Sequence, residues 1–270
     1  MRDSVVFGVL WVVLSAVLEW LLHPLATHFY IYVASNTAVS GQKAAAFIFS
    51  IALPIFVFVV LMLIYGAARF RRKPGETGNS KHQFKTNKVF ILFWFGLSLV
   101  ANLFLFVHPT ASAEQYYFST INQPGPNGQQ PLIVDVTARQ WEWFFSYPQY
   151  GITQAVDSNG NDFLELPVNR PVKFVLRSYE PNHTYDPQAD VIHSFWIPAF
   201  GMKTDVIPGL TRYEYVTPTK ITSTQANQMA RVQCAEVCGP GHPWMEADMA
   251  VVSSANFAKW IQQEKKLQGS

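Results

Sequence analysis

Three apolar stretches, about residues 5–22, 44–68 and 89–107, constrain this chain more than any other feature. Each approaches the ~20 residues that a helix needs to cross a bilayer. Pro54 falls inside the second, where a membrane helix tolerates a kink better than a soluble one does. The expected architecture is a transmembrane region over residues 1–108 and a single outer domain over 109–270.

Charge orients the helices. The link after the second stretch carries Arg69, Arg71, Arg72, Lys73, Lys81, Lys85 and Lys88 against one acid, Glu76, whereas the link over 23–43 has a single lysine, Lys43. Positive loops stay inside, so the N-terminus is expected in the cytoplasm and everything after Val107 outside. The first stretch could instead be a signal peptide. Its weakly basic start, Met1-Arg2-Asp3-Ser4, its long apolar run and the lack of a small-residue cleavage site favour a retained helix. Glu19, near the outer end of that helix, is expected to contact protein or reach the interface rather than carry protons.

The outer part reads as short strands, among them 132–137, 172–176 and 213–216, all β-branched or aromatic. Turn residues separate them, as in Pro124-Gly125-Pro126-Asn127-Gly128, Asp157-Ser158-Asn159-Gly160-Asn161 and Pro208-Gly209. The amphipathic pattern appears only at 254–266. Serial short strands of this kind predict a Greek-key β-sandwich or barrel, an all-β domain anchored in a membrane.

Chemistry concentrates in Gln233-Cys234-Ala235-Glu236-Val237-Cys238-Gly239-Pro240-Gly241-His242-Pro243-Trp244-Met245, which holds both cysteines of the chain. Thiolate, imidazole and thioether together are the donors soft copper prefers. One Cys with His and Met would make a mononuclear site; a second Cys allows two thiolates to bridge two metals, each needing an imidazole. His242 supplies one, and His193, in the strand-like run Asp190-Val191-Ile192-His193-Ser194-Phe195-Trp196-Ile197, is the candidate for the other. Two cysteines in an exported domain commonly form a disulfide, but the spaced His and Met argue against that, and methionine argues against zinc. His23, His28, His82, His108 and His183 lack a second soft donor at ligand spacing.

These two segments, with Gln140-Trp141-Glu142-Trp143 and the membrane hairpin before them, resemble subunit II of cytochrome c oxidase, in the haem–copper oxidase superfamily. The resemblance covers roughly 43–260. It implies a cupredoxin fold with a dinuclear copper (CuA) centre, bridged by Cys234 and Cys238 and capped by His193 and His242. Met245 and the backbone carbonyl of Glu236 would be weak ligands. It further implies electron entry through Trp141, a magnesium or manganese ion shared with subunit I through the Glu236 side chain, and family positions at Asp190, Lys203 and Asp205. Trp143 and Trp244 are expected in the core. The partners implied are a haem-bearing subunit I, a subunit III, lipid, and cytochrome c or a tethered cytochrome as donor, with no nucleic acid. The place implied is a bacterial inner membrane, with the copper domain in the periplasm. The whole would reduce oxygen to water and move protons, the oxygen chemistry lying on a partner subunit.

The chain departs from the family in three places. It has an additional first helix, no glutamate near Phe47 for proton entry, and a longer link at 180–187. Between 109 and 253, fourteen acids face eight bases, a balance of six negative charges. Such a surface would steer a basic cytochrome c. The competing readings are a nitric oxide reductase subunit with the same copper module and, from a different class, a membrane-anchored copper-delivery protein. Quinol oxidases, whose subunit II lacks the ligands, are disfavoured.

Overall fold

The computed structural model describes residues 2–28, 32–71, 86–111, 128–178 and 190–269, with isolated positions at 74, 75, 78, 114, 115, 119, 123 and 124. Most of the basic link at 72–85, the turn residues Gly125, Pro126 and Asn127, and the insert at 180–187 lie outside the described residues. The chain divides into two compact units, Met1–Phe29 with Gln42–Phe118 and Tyr30–Gly41 with Ser119–Ser270.

The first unit holds three helices: α1 (Arg2–Thr27), α2 (Asn36–Arg69) and α3 (Lys88–Leu105). All three are long and apolar enough to span a membrane. Their large apolar side chains stay exposed, as on a surface meant for hydrocarbon. α1 and α2 extend past their apolar runs, and polar groups fasten helix ends. Asn87 caps α3 by accepting from the Phe90 amide. Asp3 on α1 pairs with Arg69 on α2 at 3.0 Å and accepts from the Tyr65 hydroxyl at 3.1 Å. Farther along, the Trp11 indole donates to the Pro54 carbonyl at 2.8 Å, and Ser50 donates to Glu19 at 2.5 Å. Glu19 thus contacts protein, as expected of an ionisable group on such a helix.

The second unit is a two-sheet sandwich. One sheet runs β2 (Glu142–Ser146), β1 (Leu132–Arg139), β4 (Val172–Ser178), β7 (Arg212–Val216). The other runs β3 (Phe163–Pro167), β10 (Glu246–Val252), β9 (Arg231–Cys234), β5 (His193–Ile197), β6 (Met202–Val206), with β8 (Thr222–Ser223) on β10. Pairing is antiparallel except for β1 with β4 and β3 with β10. That mixture is what the expected cupredoxin-like sandwich requires. Alternation makes the core: Leu132, Val134, Val136 and Ala138 of β1 point inward and are buried, while the residues between them are only partly covered. They meet Phe174, Leu176, Phe195 and Trp143 from both sheets. Helix α4 (Ser254–Leu267) closes one side, capped by the Ser253 hydroxyl and burying Phe257, Trp260, Ile261 and Glu264.

The end of the link between α1 and α2, with the first turn of α2, belongs to this second unit. Ala34 donates to the Ala199 carbonyl at 2.9 Å and accepts from the Thr219 amide at 2.8 Å. The hydroxyls of Ser35 and Thr37 both donate to the Phe200 carbonyl, at 2.8 and 2.6 Å. Ala34, Ser35 and Ala38 are fully buried. Ala38 lies so close to Gly201 that a Cβ there would come within 2.9 Å of its Cα.

Candidate metal centre

Strand pairing sets the first half of the site. β5 and β9 run antiparallel with Phe195 opposite Cys234, which puts His193 beside the end of β9. The ladder closes around them: Cys234 donates to the Met245 carbonyl at 3.0 Å and Ala235 to the Ser194 carbonyl at 3.0 Å. Beneath, the fully buried Trp143 packs edge-on against His193 and Phe195, with centroids 6.1 and 5.4 Å away, and donates to the Met245 carbonyl at 3.3 Å.

The second half is a loop. Pro240 and Pro243 restrict it, and the short turn His242–Trp244 returns the chain through a Trp244-to-Gly241 bond of 3.0 Å. That turn brings Met245 inward, where it is fully buried, and leaves Trp244 78% exposed. Trp244 therefore does not join the core as its residue type led us to expect; Trp143 does. Trp141 is 37% exposed, and its indole donates to the Cys238 carbonyl at 3.1 Å.

The donors form a chain of near-equal steps. His193 Nδ1 is 3.8 Å from Cys234 Sγ, the two sulfurs are 3.7 Å apart, and Cys238 Sγ is 3.7 Å from His242 Nδ1. Met245 Sδ lies 3.8 Å from Cys238 Sγ, and the Glu236 carbonyl 3.2 Å from Cys234 Sγ. Donors sharing one metal at bond lengths of ~2.0–2.3 Å sit about 3.6 Å from each other in tetrahedral geometry. The steps match that value. Both cysteines are free, and their separation far exceeds a disulfide bond of ~2.05 Å. The ligand atoms of His193, Cys234 and Cys238 lie within 4.8 Å of one another, while His242 joins the cluster through Cys238.

Burial sets the protonation of the donors. Burial, and then the nearby His242, hold His193 down to about 4, so its imidazole is neutral with a free lone pair at neutral pH. His193 Nε2 is buried without a hydrogen-bond partner among the described residues. Burial, and then the charge on Cys234, push Cys238 up to about 12, so without metal it is a thiol. A cation that replaces that proton removes the cause of the penalty.

Other predicted positions are dispersed. Asp190 is buried, whereas Lys203, Asp205 and the Glu236 side chain are exposed. A surface concavity of about 680 Å³ lies alongside the loop, lined by Trp141, Trp244, Glu142, Asp162, Glu246 and Asp248 among others. Within it Arg139 pairs with Glu142 at 2.9 Å and Arg231 with Glu246 at 3.2 Å. Residue-by-residue reading missed Gln140, whose amide donates to the Cys238 carbonyl at 2.6 Å. Its adjacency to Trp141 was the one available signal.

The fold and the site define a β-sandwich with a cluster of cysteine, imidazole and thioether donors, in a chain that also holds three long apolar helices. The family model for the cytochrome c oxidase subunit II periplasmic domain matches residues 132–253. Cytochrome c oxidase subunit 2 of Alkalihalophilus pseudofirmus is 28% identical over 209 residues, 77% of this chain and 53% of that protein. Quinol oxidase subunit 2 of Bacillus spizizenii is 24% identical over 227 residues, 83% of this chain and 63% of that one. The periplasmic domain of subunit II of cytochrome oxidase from Bradyrhizobium japonicum is 28% identical, covering 50% of this chain and 94% of its own, at a TM-score of 0.40. The chain spans about half the length of the curated relatives it matches first. Its outer domain is thus similar, over residues 132–253, to the periplasmic domain of cytochrome c oxidase subunit II.

Proposed function

We propose that this chain is the electron-entry subunit of a respiratory haem–copper oxidase. In this reading Cys234, Cys238, His193 and His242 would hold a pair of coppers, with Met245 and the Glu236 carbonyl as weaker ligands. The observation that carries the reading is the run His193–Cys234–Cys238–His242, with steps of 3.8, 3.7 and 3.7 Å. When bound, the copper pair supplies a one-electron relay between a donor outside and haem in subunit I. The chain's own residues hold the donors still. The ladder around Cys234 and the packing of Trp143 fix one half, and burial of both sulfurs keeps water off the bridge. Every donor position is taken by protein, so oxygen chemistry and proton translocation belong to partner subunits.

Trp141 is the proposed entry point, because it is partly exposed and hydrogen-bonded to a ligand residue. The acidic concavity beside it suits a basic cytochrome c, soluble or tethered. The exposed Glu236 carboxylate is free to share a magnesium or manganese ion with subunit I. Subunit III is a further proposed partner. The basic link at 69–88 would set the N-terminus in the cytoplasm and the outer domain in the periplasm of a bacterial inner membrane. Copper delivery fits poorly, since Cys234 and Cys238 are only 3% and 2% exposed and a delivery site must exchange its metal. Intact donors likewise favour cytochrome c over a quinol as reductant.

Metal analysis and EPR of the full chain test the proposal. The expected result is two coppers per chain and the hyperfine signature of one electron shared between them. One copper, or zinc, per folded chain overturns it.

A further inference from the structure

Cys238 sits on the half of the centre that has no strand ladder. Its carbonyl takes both of its described hydrogen bonds from side chains, Gln140 Nε2 at 2.6 Å and Trp141 Nε1 at 3.1 Å. Both donors lie in the turn between β1 and β2, so the four-stranded sheet reaches over to grip a loop that grows from the other sheet. Arg139 and Glu142, paired across that turn at 2.9 Å, hold its two ends together.

The loop is bare where the grip falls. A Cβ on Gly239 would come within 2.9 Å of the Gln140 amide nitrogen, and one on Gly241 within 2.3 Å of the Trp141 ring. Gly239 also has φ +116°, a conformation that side chains resist. Two glycines, two donors and one carbonyl therefore fit as a unit, and any side chain on either glycine would push the donors away.

We propose that Gln140 is a positioning residue for the metal-ligand loop: with Trp141 it clamps the Cys238 carbonyl, and Gly239 and Gly241 provide the clearance that admits the clamp. Trp141 then has two duties, and part of the effect of removing it falls on the centre itself. The inference rests on the reading of Cys238 as a copper ligand for its consequence, but not for its geometry.

The test uses the full chain in detergent, first without metal and then loaded with copper. Gln140→Ala removes the donor, and Gln140→Glu keeps the volume but turns an acceptor toward the carbonyl. In metal-free protein, amide exchange at Gly239, Gly241 and His242 should rise about tenfold in both variants, the equivalent of about 1.4 kcal/mol, with β5 and β9 unchanged. In loaded protein, copper loss to a chelator should quicken about tenfold and the EPR hyperfine pattern should shift. Gly241→Ala should reproduce the loosening with Gln140 intact. If Gln140→Glu exchanges and retains copper like the wild type, the hydrogen bond is not the agent and the clamp is overturned. If the wild type never takes up two coppers but Gln140→Glu still loosens the metal-free loop, the clamp stands and the copper reading fails.

Discussion

The two halves of the centre are held in place by different means. His193 and Cys234 end neighbouring strands, and the main-chain ladder places them with Trp143 packed beneath. Cys238, His242 and Met245 sit on a loop whose order comes from prolines, tight turns and side chains reaching in from the other sheet. A ladder is insensitive to any one side chain, whereas a side-chain grip depends on two or three. The strand half should therefore fail through loss of packing and the loop half through loss of particular contacts.

The bridge itself is the hardest test of the contrast. Cys234→Ser should abolish the two-copper signature and leave at most one copper, by metal analysis and EPR, and Cys238→Ser should do the same, since the proposed centre shares both sulfurs. If either variant keeps the two-copper spectrum, the halves are not joined as described.

Trp143→Ala comes next, because a large fully buried ring leaves a cavity. We expect a loss of about 3–5 kcal/mol by denaturant unfolding. Trp141→Ala should cost far less stability while slowing reduction by cytochrome c much more. Equal destabilisation by the two would erase the distinction between packing and contact.

Away from the centre, burial and then the charge of Glu264 push Glu165 up to about 7, and burial raises Glu264 as well. Raised carboxyls bind protons more tightly in the folded than in the unfolded state. Stability should then fall as pH rises from about 4.5 to about 7 and level off beyond, by on the order of 2–3 kcal/mol. Glu165→Gln should flatten that slope in thermal melts followed across pH, with the copper spectrum unaltered. An unchanged slope would remove Glu165 as its source.

The smallest effect concerns the donor. The acidic concavity beside Trp141 should make cytochrome c oxidation fall several-fold from low to physiological salt, where the Debye length is ~8 Å. A rate indifferent to salt would point to a tethered donor and leave the copper site untouched.

The gathering of His193, Cys234, Cys238, His242 and Met245 was legible because sulfur and imidazole are rare residue types whose chemistry shows in the letters. The helices and strands 132–137, 172–176 and 213–216 were legible from apolar runs and alternation; the strands and the first two helices proved one to several residues longer in the structure, while α3 ends two residues before its apolar run does. Gln140 was not legible, since its role depends on a loop about a hundred residues later in the chain. Trp244 misled because bulk alone reads as core, while a tight turn decides which way a side chain faces. The segment around Ser35 was silent for another reason: its partners are main-chain carbonyls, and small residues such as Ala34, Ala38 and Gly201 advertise nothing.

That segment ties the order of synthesis to the order of assembly. Ser35 and Thr37 leave the ribosome some 165 and 163 residues before the carbonyl that receives them. The outer sandwich must therefore finish around a peptide already delivered to its side of the bilayer. If α1 and α2 fail to deliver the link between them to that side, Ala34 and Ser35 are missing when the sandwich closes. The Ala199 and Phe200 carbonyls are then left without their donors, each such loss costing on the order of 1–3 kcal/mol. Placement of that early link is therefore a folding requirement of the second unit.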